Sequence, residues 1–249
     1  MTDLPMLLTA AVVILCLALA LAIAAALHRG ALATGYPLAR ARTLAGIAAL
    51  VLVGWLTATA ALAAAGRYIA DPWLGVGVAA PLVLGLLALR LPAITAVREG
   101  AHAVAVLAAL QTLRVVGGAF LVLLAADRVP AGFALPSGIG DVLVGLAAPA
   151  VAYALWRRPT RRVLGIAFNV LGLLDLALAI PLGLLHAPGR LQLIVTDPTT
   201  ALMGTFPMAL VPTFVVPLAI VAHIASLRLL TRPRSQPPPP QNRRMLDHA

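Results

Sequence analysis

Six polar side chains stand inside otherwise apolar stretches of this sequence: Gln111, Arg114, Asp141, Asn169, Asp175 and His223. Their types define a narrow chemistry. Two carboxylates and an imidazole can take up and release protons, an arginine holds negative charge, and two amides extend a hydrogen-bond chain. In hydrocarbon each such group is costly unless paired or hydrated, so together they mark a functional pathway or a structural ion pair. Four of them lie in the second half of the chain, and Gln111 and Arg114 lie just before its midpoint. The earlier apolar stretches carry only Thr9, Cys16, Thr57 and Thr59, which the carbonyls of their own helices can satisfy.

The elements that must position these groups follow from composition. Of 249 residues, 62% are hydrophobic and 10% charged, against about 45–50% and 25% in soluble domains. Too few polar residues remain to coat a soluble core, so the chain reads as an all-α integral membrane protein with the lipid bilayer as its solvent. A spanning helix needs about 20 apolar residues. Seven stretches qualify: 4–27, 43–65, 73–89, 103–126, 136–156, 163–185 and 204–230. Turn signals at Gly35-Tyr36-Pro37, Asp71-Pro72, Leu91-Pro92, Val129-Pro130 and Arg158-Pro159 separate most of them.

Arginine placement gives the orientation. With seven spans, fourteen arginines fall in one set of connecting segments and the tail, and three (Arg67, Arg128, Arg190) fall on the other side. The positive-inside rule then puts the N-terminus outside and the C-terminus in the cytoplasm. The first stretch follows Asp3 with no preceding basic residue, which reads as an uncleaved span and not a signal peptide. The Arg, Ala and Leu bias without lysine fits a high-GC bacterium and its inner membrane. The basic charge is a topology signal, so no nucleic-acid partner is expected. Residues 231–249, with Pro237-Pro238-Pro239-Pro240 among arginines, read as a disordered cytoplasmic tail.

Helical rise puts Arg114 and Asp175 level near the midplane, as a buried pair. Asp141 falls in the outer third of its span, Gln111 and Asn169 further inward, and His223 in the inner third. From outside to inside the expected order is Asp141, Arg114 with Asp175, Gln111, Asn169, His223, a path for protons or a small anionic solute. Pro207, Pro212 and Pro217 should break the last span, which suits a cavity.

Enzyme chemistry has thin support. The chain lacks lysine, which excludes Schiff-base chemistry, and its single cysteine, Cys16, excludes an internal disulfide. No metal-ligand spacing occurs. A haem held by His223 would need a second histidine at its depth, and His28 and His102 lie at span ends. No cofactor and no metal is expected. Gly138-Ile139-Gly140-Asp141, with Asp175 as second carboxylate, resembles on four residues the GxGD intramembrane aspartyl proteases, which would imply a catalytic dyad. The order of the two aspartates is the reverse of that family's, and Pro207-Met208-Ala209-Leu210 carries an insertion in the Pro-Ala-Leu element. Helical rise also separates the carboxylates by roughly 9 Å, where a shared proton needs about 3 Å. No catalytic residue is assigned. The reading is a small-solute or proton-coupled transporter, with a membrane subunit or assembly factor that works beside a membrane protein partner as the alternative.

Overall fold

A computed structural model of the protein describes residues 6–69, 73–98, 100 and 102–232; Asp3, the Asp71-Pro72 turn and the proline run of the tail lie outside the described residues. The described residues form helices joined by turns, with no strand among them. α1 (Met6–Ala33) and α2 (Leu38–Ala64) make a hairpin closed at Gly35, whose φ of 85° suits a residue without Cβ. α3 (Trp73–Ala88) is 16 residues long and meets the short α4 (Pro92–Arg98) at a 77° bend, where Pro92 cannot extend the preceding helix.

The next helix is continuous over Ala103–Ala125 but changes pitch within: α5 (Ala103–Leu110), a 3-10 segment Gln111–Gly117, then α6 (Gly118–Ala125). α7 (Ala131–Arg157) and α8 (Arg162–Leu185) follow. A segment with one 3-10 turn (Ala201–Gly204), buried at Met203, Met208, Ala209 and Leu210, leads to a π turn, Val211–Val215, which opens α9 (Val216–Thr231). Among the described residues six helices, counting α5–α6 and the π turn with α9 as one each, are long and apolar enough to cross a membrane.

Several boundaries differ from the sequence expectation. The 136–156 stretch begins five residues earlier, at Ala131, because Pro130 precedes the first turn in extended conformation and Pro136 is absorbed within the helix. The final helix begins at Val211 and not 204, since Pro207 lies in the turns before it and Pro212 sits in its opening π turn. The sequence expectation treats Pro136 as a helix start and Pro207 as an interior break, and the structure reverses both.

Glycine contacts fix the registers. Gly165 faces Leu230 and Gly172 faces His223, so α8 and α9 run antiparallel. Gly145 meets Val115 and Gly138 meets Leu121, which sets α7 antiparallel to α5–α6. Gly77 faces Thr213 and Gly85 faces Val221, eight residues on along both chains, so α3 runs parallel to α9. Gly77 also touches Tyr68, beyond the end of α2, while Val97 packs with Ala31 and Ala41 near its start. Trp73–Arg98 therefore traverses the length of α2.

Breaks in the last helix are repaired from the first half of the chain. Pro217 has no N–H for the Thr213 carbonyl, and the Trp55 indole donates to that oxygen at 3.0 Å. Thr59 bonds the Tyr68 hydroxyl at 2.7 Å and the Thr213 hydroxyl at 2.8 Å. Thr57 bonds its own helix at Val53, as expected, but Thr59 does not: it ties α2 to the π turn.

Candidate functional site

The 3-10 segment brings Arg114 into the middle of the bundle, where it is 2% exposed. Its guanidinium Nε donates to Asp141 Oδ1 at 2.7 Å, and Nη2 reaches the same oxygen at 2.6 Å. Nη2 also bonds Asp175 Oδ2. Nη1 donates to the Gly172 carbonyl at 3.1 Å and makes a long 3.5 Å contact with His223 Nε2. Three helices thus converge on one side chain: α7 through Asp141, α8 through Asp175 and Gly172, and α9 through His223.

This corrects the expected ladder. Asp141 is not a separate station in the outer third: it is buried and shares the arginine with Asp175. Because α7 starts at Ala131, Asp141 lies ten residues, about 15 Å, into its helix and near mid-depth. The roughly 9 Å separation of the two carboxylates along the bundle, counted from helical rise, disappears with it. His223 is likewise not a separate inner station, since the later start of its helix brings it level with Arg114. The expected contact between Arg114 and Asp175 is made.

Asn169 orders the histidine. Its Nδ2 donates to the Gly165 carbonyl at 2.7 Å and the Ser226 hydroxyl at 2.8 Å, which fixes the amide so that Oδ1 faces His223 Nδ1 at 2.9 Å. An amide oxygen only accepts, so His223 carries its proton on Nδ1 and turns the Nε2 lone pair toward Arg114. The imidazole is therefore neutral in this arrangement and acts as an acceptor for the arginine. Phe168 flanks its ring at 5.8 Å. Gln111 stands apart from the charges: its Nε2 donates to the Ala219 carbonyl of α9 at 3.2 Å, while its Oε1 has no protein partner.

Glycines make the convergence possible. A Cβ on Gly140 would overlap the Asp175 carboxylate, one on Gly117 would overlap Asp141, and one on Gly172 would overlap the His223 ring. Small residues let helices approach closely in membranes, and here each such residue lies under a member of the charged centre. Gly140 also belongs to the GxGD sequence: what the pattern delivers is a carboxylate on an arginine, with the Gly as the floor for its neighbour. Gly117, Gly140 and Ser226 join the site only through the structure. Gly117 and Ser226 do carry a sequence signal, since each stands one helical turn beyond a polar member, Arg114 and His223. Gly140 merely adjoins Asp141, and nothing in the sequence says which neighbour it admits.

Charge arithmetic gives the centre its chemistry. One arginine and two ionised carboxylates around a neutral imidazole carry one net negative charge, and in low dielectric an unmatched charge is strongly disfavoured. The centre is neutral when it holds one proton. Asp141 receives two arginine nitrogens and is 7% exposed, whereas Asp175 receives one and is 13% exposed. Asp175 is the more loosely held carboxylate.

Comparison with known proteins gives a family and no function. No curated protein and no solved structure matches the chain. A family model described as a domain of unknown function, DUF8737, matches residues 71–231. That range takes in α3 to α9 and every member of the charged centre, and it leaves α1 and α2 outside. The chain belongs to the DUF8737 family.

Proposed function

We propose that this chain is a seven-span protein of a bacterial inner membrane, N-terminus outside and C-terminus cytoplasmic, that couples proton binding at Arg114, Asp141 and Asp175 to movement of a small anionic solute. The observation that carries the reading is the second carboxylate. A structural arginine is neutralised by one; two on the same guanidinium create a place for one exchangeable proton. When Asp175 takes that proton its hold on Nη2 weakens, and the freed donor can take an anion. Anion and proton leave together, which restores the Asp175 contact, and the unmatched negative charge left behind draws in the next proton. The cycle is an exchange of acceptors on one fixed cation, with Asp141 and Gly172 retaining the arginine throughout.

Support for seven crossings comes from α3, which runs parallel to α9, and from α4, which follows a 77° bend and brings Val97 to the start of α2. The arginine asymmetry supports the orientation. The test is proteoliposomes with an internal pH dye and an imposed pH gradient, screened against small anions. Protein-dependent proton flux that requires one anion and is lost in Asp175→Asn fits the reading; flux equal to that of protein-free vesicles under every anion contradicts it.

A second reading, a membrane subunit whose charges are structural, is favoured by one observation: Nε, Nη1 and Nη2 of Arg114 all have acceptors. It predicts co-purification with a membrane protein partner and no flux. The aspartyl-protease chemistry suggested by GxGD is disfavoured, because the two carboxylates face an arginine where a proton-sharing dyad would hold a water.

A further inference from the structure

Between α8 and the π turn the chain exposes a run of large apolar side chains, Leu191, Leu193, Ile194 and Val195, with Leu193 at 79% and Val195 at 85%. The connection between α7 and α8 is the reverse, and exposes Arg158, Pro159, Thr160 and Arg161. Hydrogen bonds hold the apolar run at a fixed height. The N–H groups of Leu193 and Ile194 donate to the Leu185 carbonyl at 3.1 and 3.0 Å. Thr200 donates its N–H to the His186 carbonyl at 3.2 Å and its hydroxyl to the Gly183 carbonyl at 2.7 Å. Both ends of the 193–200 segment are therefore pinned to the last turn of α8, and Val195 lies between the two attachments. That height decides what faces these side chains. α8 has 24 residues, about 36 Å by helical rise, against about 30 Å of hydrocarbon in a bilayer. With Arg162 at one boundary, the turn at Gly183 to Leu185 reaches the opposite interface and does not project into bulk water. The exposed face of α8 is apolar up to that turn, through Leu171, Leu174, Leu178 and Leu184, and the run adjoins it at Leu185.

We propose that residues 191–195 are an interfacial anchor, which lays Leu191, Leu193 and Val195 among the lipid chains of the outer leaflet, just beneath the headgroups. The inference rests on the spanning orientation proposed above. Apolar side chains gain by leaving water. Irregular backbone needs water or internal partners, so the segment stays at the interface and only its side chains go deeper. A second copy of the chain suits the run less well. Arg190 and Asp197 bracket it, and five residues expose too little surface for a stable protein interface, which takes about 800 Å² from each partner. The segment leads on to the π turn and α9, so the anchor references to the membrane surface the helix that brings His223 to Arg114.

The test uses the full chain with Cys16→Ala in phospholipid vesicles, carrying one nitroxide spin label at a time on Leu193→Cys, Val195→Cys, Leu174→Cys or Arg161→Cys. Collision with oxygen, which concentrates in lipid, is compared with collision with a water-soluble nickel chelate. The anchor predicts that the oxygen-to-nickel ratio at both loop sites exceeds that at Arg161→Cys severalfold and stays below that at Leu174→Cys. Collision mainly with nickel at the loop sites means a water-facing loop. Weak collision with either reagent means a protein cover, a second copy included. Either result overturns the proposal. Leu174→Cys separates the two readings. If it also sides with nickel, the spanning reading fails; if it sides with oxygen while the loop sites do not, the anchor alone fails. Should Cys16→Ala not fold, Val195→Trp in the otherwise unaltered chain decides, with lipids brominated at shallow or deep acyl positions. Added emission quenched most by shallow bromine supports the anchor. No quenching, or quenching mainly by deep bromine, overturns it.

Discussion

In the most apolar stretch of α2, 17% of the residues are buried; in Val211–Thr231 the share is 56%. The difference runs through the whole molecule. α1 and α2 are long, regular helices of 28 and 27 residues, packed on each other. The Ala103–Ala125 and Val211–Thr231 helices carry a 3-10 segment and a π turn where they meet the buried polar groups. Lipid suffices as solvent for the first pair. The second set encloses charges that lipid cannot solvate, so its backbone departs from α geometry to bring donors onto acceptors. Irregular backbone at depth survives only where protein surrounds it, and here the irregular stretches are the ones that are enclosed. The family range, 71–231, begins after the hairpin.

Substitutions should follow this division. The largest effect is expected for Arg114→Met, which leaves two buried carboxylates with no cation and should cost about 3–5 kcal/mol, read as loss of folded protein in detergent. Asp175→Leu leaves a neutral Arg114–Asp141 pair and should cost about 1–2 kcal/mol. A result in which Asp175→Leu is the worse of the two would break the charge argument. Gly140→Ala and Gly117→Ala drive a methyl into the Asp175 and Asp141 side chains and should cost about 1–3 kcal/mol each by thermal melts. Trp55→Phe strands the Thr213 carbonyl; a loss of about 1 kcal/mol is expected. In the lipid-facing hairpin, a Cβ added at Gly54 would meet nothing within 4 Å, and Gly54→Ala should be neutral or stabilise by up to about 1 kcal/mol. A large loss there would show that α2 is packed against something more specific than lipid.

Much of this division is legible in the residues. Apolar runs locate the crossing helices, and the confinement of Gln111, Arg114, Asp141, Asn169, Asp175 and His223 to the later stretches locates the charged region. The Arg114–Asp175 contact follows from equal depth on parallel helices. Other features are hidden for a physical reason. In lipid, the outward face of a helix is as apolar as the inward one, so periodicity does not mark helix ends or faces as it does in soluble proteins. Depth then has to be counted from proline positions. Pro136 shifts that count by five residues, since the helix starts at Ala131, and this is enough to move Asp141 from the centre to the outer water. The bond from Thr59 to Thr213 joins positions 154 residues apart at a turn that prolines create, and no local pattern records it.

The central claim is that Arg114, Asp141 and Asp175 together hold one proton. Infrared spectroscopy of the purified protein, with aspartate carbon-13 labelling to identify the band, measures it directly. The account predicts one protonated carboxylic acid stretch in the unaltered protein. That band should vanish in Asp141→Asn and equally in Asp175→Asn, because the remaining one-to-one pair with Arg114 is neutral without a proton. A spectrum with no such band, or one that persists in both variants, would contradict it.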